Sequence, residues 1–283
     1  WGTAHFTLSM VELSVVDEKA MLACHIYYGE DIHEKLQILQ KMLEYVRVEE
    51  ISIPDSPLIR LERHDLPEYR QWCRLVEQGL ENISSGNLNK VVLARAAVFS
   101  LARDYDPTEL LHQLRRQAPQ AFHFCFQLAP RQAFLGITPE LLYRRSGSKI
   151  ESEAIASTRP RGQTLEEDER LATELRESKK EQREHLMVLE RMESLLQQFC
   201  RKTERLSYLE RLPLRHVQHL QSKVQGVLRE EINDSDLLPA FHPTPAVSGA
   251  PDKKARALIR KLEPFDRGWY AGPVGWISSS KAE

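Results

Sequence analysis

Strands in this chain arrive in runs instead of alternating with helices, and that ordering restricts the fold more than any other feature. Ala121 to Leu128, Ala133 to Ile137, Leu141 to Arg145 and Lys149 to Glu153 read as successive antiparallel strands. Thr164 to Arg201 then holds a helical pattern throughout. Its first half is almost all charge, while its second half carries Leu186, Leu189, Met192, Leu195, Leu196 and Phe199 at three-and-four spacing. Runs of strands divided by helices imply an α+β fold, antiparallel sheets packed with helices, in preference to a doubly wound parallel sheet.

Upstream, Phe6 to Ser14 and Ala20 to Tyr28 form a hairpin pattern about the polar Val16-Asp17-Glu18-Lys19 turn. Ile32 to Val48 has helical spacing, and Pro54, Ser56 and Pro57 mark a connector. A helix is expected from Leu66 to Ile83, ended by Ser84-Ser85-Gly86-Asn87, then a strand from Lys90 to Ser100 and a helix from Pro107 to Ala118. Residues 1–58 read as a hairpin-plus-helix portion of the same domain as residues 59–283, which hold the groups with chemistry.

A formal net charge of −2 with 28% charged residues gives no reason to expect a nucleic-acid partner. The apolar runs are too short to span a bilayer. Cys24, Cys73, Cys125 and Cys200 stand apart without metal-ligand spacing, as reduced thiols of a cytosol-like compartment do. The opening Trp1-Gly2-Thr3-Ala4-His5-Phe6 has no basic segment followed by an apolar one, so no signal peptide is visible.

Several residues could carry chemistry, and each has a plainer reading beside it. Lys90 begins a strand; it is either a surface charge or a partly buried amine whose pKa burial lowers into the range of a general base. Glu140, after Pro139, is either a solvated turn residue or a carboxyl kept protonated by an apolar pocket and able to give up a proton. Glu181 and Glu184 share one helix face, either as ordinary helix charges or as hard oxygen ligands for Mg²⁺. His185 beside them has no second His or Cys at ligand spacing, which excludes zinc. Ser157-Thr158-Arg159-Pro160-Arg161-Gly162 reads as a loop that either receives a carboxylate on its N–H groups or is an exposed basic turn. His219 would ordinarily be a half-buried histidine. The prolines of His242 to Pro251 indicate a rigid turn, with Ala246, Ser248 and Gly249 small enough for a ligand to approach the backbone.

Taken together, the Lys90 strand, Pro139-Glu140, Thr158-Arg159-Pro160-Arg161-Gly162, Glu184-His185, Val217-Gln218-His219-Leu220, His242-Pro243-Thr244-Pro245-Ala246, Glu263-Pro264-Phe265-Asp266-Arg267 and Tyr270-Ala271-Gly272-Pro273 resemble, in order, the chorismate-utilising enzymes, most closely isochorismate synthases of menaquinone or siderophore type. The resemblance runs from about residue 60 to the end and implies the fold of anthranilate synthase component I. Lys90 stands where the ammonia-using branches carry glutamine, which implies water as nucleophile. Ala156 stands where aminodeoxychorismate synthases carry a nucleophilic lysine, and Ala246 where anthranilate synthases carry threonine.

The resemblance further implies a Mg²⁺ cofactor held through Glu184, with Glu181 on the same face. Lys90 would be the base that activates water for attack at C2 of chorismate, and Glu140 the acid that protonates the departing C4 hydroxyl, giving isochorismate. His219, Ala156, Ser157, Thr158 and Ala246 would line the substrate. A monomer in the cytoplasm, or in the plastid stroma after loss of a targeting segment, is the expectation by analogy. The sequence departs from the family at two points. Ser157 replaces the usual glycine; if a positive φ is needed there, serine costs on the order of 1 kcal/mol. The family also continues past Glu283 with an arginine strand, a glycine-rich turn and a helix bearing a second Mg²⁺ glutamate, so the chain is expected to be C-terminally incomplete and inactive alone. Readings from other classes are a salicylate- or anthranilate-type enzyme and a non-catalytic protein keeping the fold.

Overall fold

The computed structural model describes residues 4–16, 19–25, 31–45 and 60–283. They group into two compact units, within Trp1–Pro54 and within Asp55–Glu283. In the first unit β1 (Val11–Val16) and β2 (Lys19–Cys24) pair antiparallel with Val16 opposite Lys19, and α1 (Ile32–Tyr45) follows. Strand β1 starts later than its apolar pattern suggests. The expected continuations to Tyr28 and Val48, and the Pro54 to Pro57 connector, lie outside the described residues.

The second unit begins with β3 (Arg60–Leu66), α2 (Tyr69–Ser84), β4 (Lys90–Val91) and β5 (Ala96–Leu101), of which β3 and β5 pair antiparallel. The sequence suggests one strand from Lys90 to Ser100. It divides because the Val92 carbonyl and Ala94 N–H bond to the side chains of Arg267 and Glu263 instead of to a neighbouring strand. Then come α3 (Pro107–Gln117), N-capped by the Asp106 carboxylate, and the hairpin of β6 (Phe122–Ala129) and β7 (Gln132–Thr138).

The main sheet uses β8 (Arg144–Ser146), β9 (Lys149–Pro160), β10 (Cys200–Pro213) and β11 (Val217–Leu228). Between β9 and β10 lie α4 (Leu165–Glu177) and α5 (Lys179–Phe199); after β11 come α6 (Asp234–Phe241), β12 (Gly249–Ala250), α7 (Asp252–Leu262) and β13 (Lys281–Ala282). The strands lie in the order β10-β11-β9-β8-β13, each antiparallel to its neighbour. The architecture is α+β.

The apolar stripe of α5 covers this sheet. Leu189, Met192, Leu195, Leu196 and Phe199 meet Ile150, Ala154 and Ala156 of β9 and Val224 and Leu228 of β11. Each fully buried aliphatic side chain there contributes roughly 1.5–3 kcal/mol. The expected single helix from Thr164 to Arg201 is two, because Ser178 turns to extended backbone and its hydroxyl caps the Glu181 N–H. Among the described residues no helix is long and apolar enough to cross a membrane.

Candidate active site

Lys90 enters β4 directly after the loop that ends α2. Its short strand pairs with β12, Ala250 opposite Lys90 and Gly249 opposite Val91, and the bonds Asn89 N–H to Ala250 O and Val92 N–H to Ser248 O extend the contact. A Cβ on Gly249 would stand 2.2 Å from the Lys90 carbonyl oxygen, so only glycine lets the turn approach this closely. The side chain of Lys90 is buried, and its Nζ lies 3.4 Å from Glu184 Oε1. Burial pushes the amine below the ordinary lysine range, with Glu184 and Glu140 pulling the other way.

Glu140 follows β7, its N–H donating to Thr138 Oγ1 at 3.1 Å. Burial raises its carboxyl above the usual range, opposed by the Thr244 hydroxyl, 3.4 Å from Oε1, and by the charge of Lys90. The amine and the carboxyl therefore act on one another, and desolvation drives their pKa values in opposite directions. That is the condition under which one group accepts and the other donates a proton near neutrality.

Beside Lys90 and Glu184 opens a cavity of about 850 Å³. Trp72, Val76, Leu80 and Ile83 of α2 and Met187 of α5 give it an apolar wall, and Lys179, Lys180 and Arg183 bring positive charge. Glu140 does not line it.

A second group lies where β9 meets β11. The expected loop at Ser157 is strand: β9 runs on to Pro160, and the register slips between His219 and Leu220, leaving Ser157 as the extra residue of a bulge. Ser157 sits at φ 66, the conformation for which glycine is suited. Its hydroxyl donates to the Glu181 carbonyl at 2.8 Å, tying the bulge to the first turn of α5. His219 Nδ1 lies 3.2 Å from the Ser157 carbonyl and 3.0 Å from Thr158 Oγ1. A carbonyl only accepts, so a bond there puts the proton on Nδ1 and leaves Nε2 with a free lone pair. Burial lowers the His219 pKa, which keeps the ring neutral. Ala156 is buried under the same strand, and Ala246 follows Thr244, its N–H donating to Thr244 Oγ1 at 3.2 Å.

Glu181 and Glu184 do not have equal surroundings. The Glu181 carboxylate accepts from Arg159 Nη1 at 2.9 Å and lies 3.6 Å from Lys180 Nζ. Burial works to raise its pKa, but the Arg159 bond and the charges of Lys180 and Arg159 prevail and hold it below the usual range. Its charge is thus already matched, whereas Glu184 lines the cavity with Lys90 Nζ 3.4 Å from its Oε1. One hard carboxylate at a cavity suits Mg²⁺, which draws much of its shell from water and substrate. Among the described residues no three His, Cys, Asp or Glu side chains converge on a common point. His185 is fully buried, bonded through Nε2 to Ser222 Oγ at 2.8 Å, and burial holds its pKa down to about 4, so it is a neutral part of the core.

Sequence reasoning attached no role to Arg159 as the partner of Glu181, to Thr244 beside Glu140, or to Glu263 and Arg267. All four stand inside recognisable blocks, and the four-residue spacing of Glu263 and Arg267 was a further signal of their pairing.

A family profile described as chorismate binding enzyme matches residues 1–283. The chain belongs to that family. The isochorismate synthase MenF of Pasteurella multocida is 37% identical over 213 residues, which cover 75% of this chain and 49% of that protein. Isochorismate synthase 2, chloroplastic, of Arabidopsis thaliana is 32% identical over 295 residues, covering 100% of this chain and 52% of that protein. Among solved structures, MenF of Escherichia coli, a menaquinone-specific isochorismate synthase, superposes with a TM-score of 0.88 at 30% identity, over 96% of this chain and 63% of that one. The chain spans about half the length of the curated relatives it matches.

Proposed function

We propose that the protein is an isochorismate synthase, converting chorismate to isochorismate. The observation that carries this reading is the pairing of buried Lys90 with half-buried Glu140, their shifts opposed, Lys90 lowered and Glu140 raised, each within electrostatic reach of the other. Lys90 as free amine takes a proton from water as its oxygen bonds to C2. The ring double bonds shift, the C4–O bond breaks, and Glu140 gives its proton to the departing hydroxyl, which leaves as water. Atoms and charge balance, with one water consumed and one released. The pyruvyl ether is untouched.

Mg²⁺, when bound, neutralises the ring carboxylate and orients it. Glu184 is the residue proposed to hold it, and Glu181, engaged by Arg159, contributes charge balance nearby. His219, with Nε2 free to accept, faces an oxygen substituent of the substrate; Ala156, Ser157 and Thr158 seat its carboxylate, and Ala246 leaves room for the ring. The protein acts as a monomer in the cytoplasm or plastid stroma. Incubation of the chain, fused to the C-terminal segment of a full-length relative, with chorismate and Mg²⁺, and separation of the products by chromatography, tests the reading. Isochorismate without free pyruvate is expected. Salicylate with pyruvate would assign the neighbouring chemistry, and unchanged chorismate would leave a binding protein of the same fold.

A further inference from the structure

The Glu263-Pro264-Phe265-Asp266-Arg267 block has no part in the acid–base scheme, yet its two charged ends lie at the heart of the molecule. Glu263 is 2% exposed at its side chain and Arg267 17%. Oε1 of Glu263 accepts the Ala94 N–H at 2.7 Å, and Oε2 accepts Nε of Arg267, also at 2.7 Å. The guanidinium donates onward, through Nη2 to the Val92 carbonyl at 2.8 Å and through Nη1 to the Val247 carbonyl at 2.9 Å.

Those backbone groups belong to two different pieces of the site. Val92 and Ala94 are where the chain leaves β4, two and four residues past Lys90, and where the ladder to β12 has run out. Val247 lies in the turn that begins at Thr244, whose hydroxyl meets Glu140 and whose carbonyl accepts the N–H groups of Val247 and Ser248. Without the pair, buried N–H and C=O groups at a strand end would lack partners.

We propose that Glu263 and Arg267 are a positioning pair: one ion pair that locks the strand carrying Lys90 to the turn that meets Glu140, and so sets the separation of base and acid. Neither side chain touches the proposed reacting groups. The bidentate fork matters, because lysine at 267 keeps the charge but cannot donate to Glu263, Val92 and Val247 together. The proposal deepens the acid–base reading and rests on it for its consequence in turnover, whereas the mechanical coupling stands separately.

Amide hydrogen exchange on Arg267→Lys and Glu263→Gln reads the coupling without any turnover. The Ala94 amide and peptides spanning residues 243–250 should lose protection together, by about tenfold or more, while α5 and β9 exchange as in the parent. Loss confined to Ala94, with the 243–250 turn unchanged, overturns the proposal. So does loss spread evenly over the molecule in both variants, which would make the pair a general stabiliser. With chorismate, kcat should fall about 100-fold or less at nearly unchanged KM, the pattern of misplaced but intact catalytic groups. If the parent chain, fused to the C-terminal segment of a full-length relative, leaves chorismate unchanged, the isochorismate synthase reading fails while the exchange result still decides the coupling.

Discussion

A buried amine and a half-buried carboxyl are each costly to a folded chain, and the proposed function gives Lys90 and Glu140 a reason to be kept, as base and acid. The unfolded carboxyl of a glutamate titrates near about 4.3, and the folded Glu140 above its ordinary value. Between those two pKa values the folded state holds the extra proton, so stability falls as pH rises through that window. Glu140→Gln keeps the shape and an acceptor for Thr244 but cannot ionise. Its melting temperature should match the parent below about pH 4 and exceed it increasingly as pH climbs toward neutrality. A thermal melt series across pH measures this; a variant less stable than the parent at pH 8 would contradict the assignment of a desolvated carboxyl. The same substitution should lower turnover by about 10²- to 10⁴-fold, the usual contribution of a positioned acid, and Lys90→Ala should do likewise for the base. Substantial activity in either variant, measured on folded protein, removes that residue from the mechanism.

At the scale of elements, the bulge between β9 and β11 does the positioning, and it explains what the sequence could and could not disclose. The stripe of α5 was legible because its apolar residues face one sheet at helical period. The break at Ser178 was not, since the charged half of the pattern has no face to interrupt and the change rests on one capping serine. Strand β9 looked like a loop beyond Glu153 because its pairing partner lies more than sixty residues away at His219. Strand β11 escaped notice because Gln218, Gln221 and Ser222 are buried in it, which erases the usual polar alternation. Lys90, Glu140 and Glu184 were legible as blocks, but only folding could show that Arg159 claims Glu181. Ser157 as a departure from glycine was legible, and its φ of 66 shows what the departure entails. Ser157→Ala keeps the strained Cβ and loses the bond to the Glu181 carbonyl, so it should destabilise by about 1 kcal/mol. Ser157→Gly loses the same bond but relieves the strain, and should be more stable than the alanine variant by about 1 kcal/mol. Urea unfolding of the three proteins checks the order; alanine equal to glycine would mean that the left-handed backbone carries no strain here.

For the molecule as a whole, charge is arranged locally, not globally. The formal net charge is −2, yet the cavity beside Lys90 is lined by Lys179, Lys180 and Arg183 against the single carboxylate of Glu184. If the protein acts on chorismate as proposed, this dicarboxylate meets a locally positive cavity rim on a weakly acidic protein. The rim cations and Lys90 differ in how salt reaches them. Lys90 is 9% exposed at its side chain and Lys180 is 82% exposed, so the rim is open to screening while the base is shielded. A unit charge pair at 4 Å is worth about 1 kcal/mol in water and about 4 kcal/mol near a protein surface. The rim can therefore attract a dianion without fixing its orientation. Screening lengths shrink from about 10 Å at 0.1 M salt to about 3 Å at 1 M. At constant Mg²⁺, raising salt over that range should weaken chorismate binding several-fold, measured by calorimetry, while kcat at saturation changes little because Lys90 is buried and Glu140 half-buried. Affinity independent of salt would show that the cations at the rim take no part in capture. A matching fall in kcat would show that salt reaches the buried pair as well, and the separation between an open attracting rim and a shielded reacting centre would be lost.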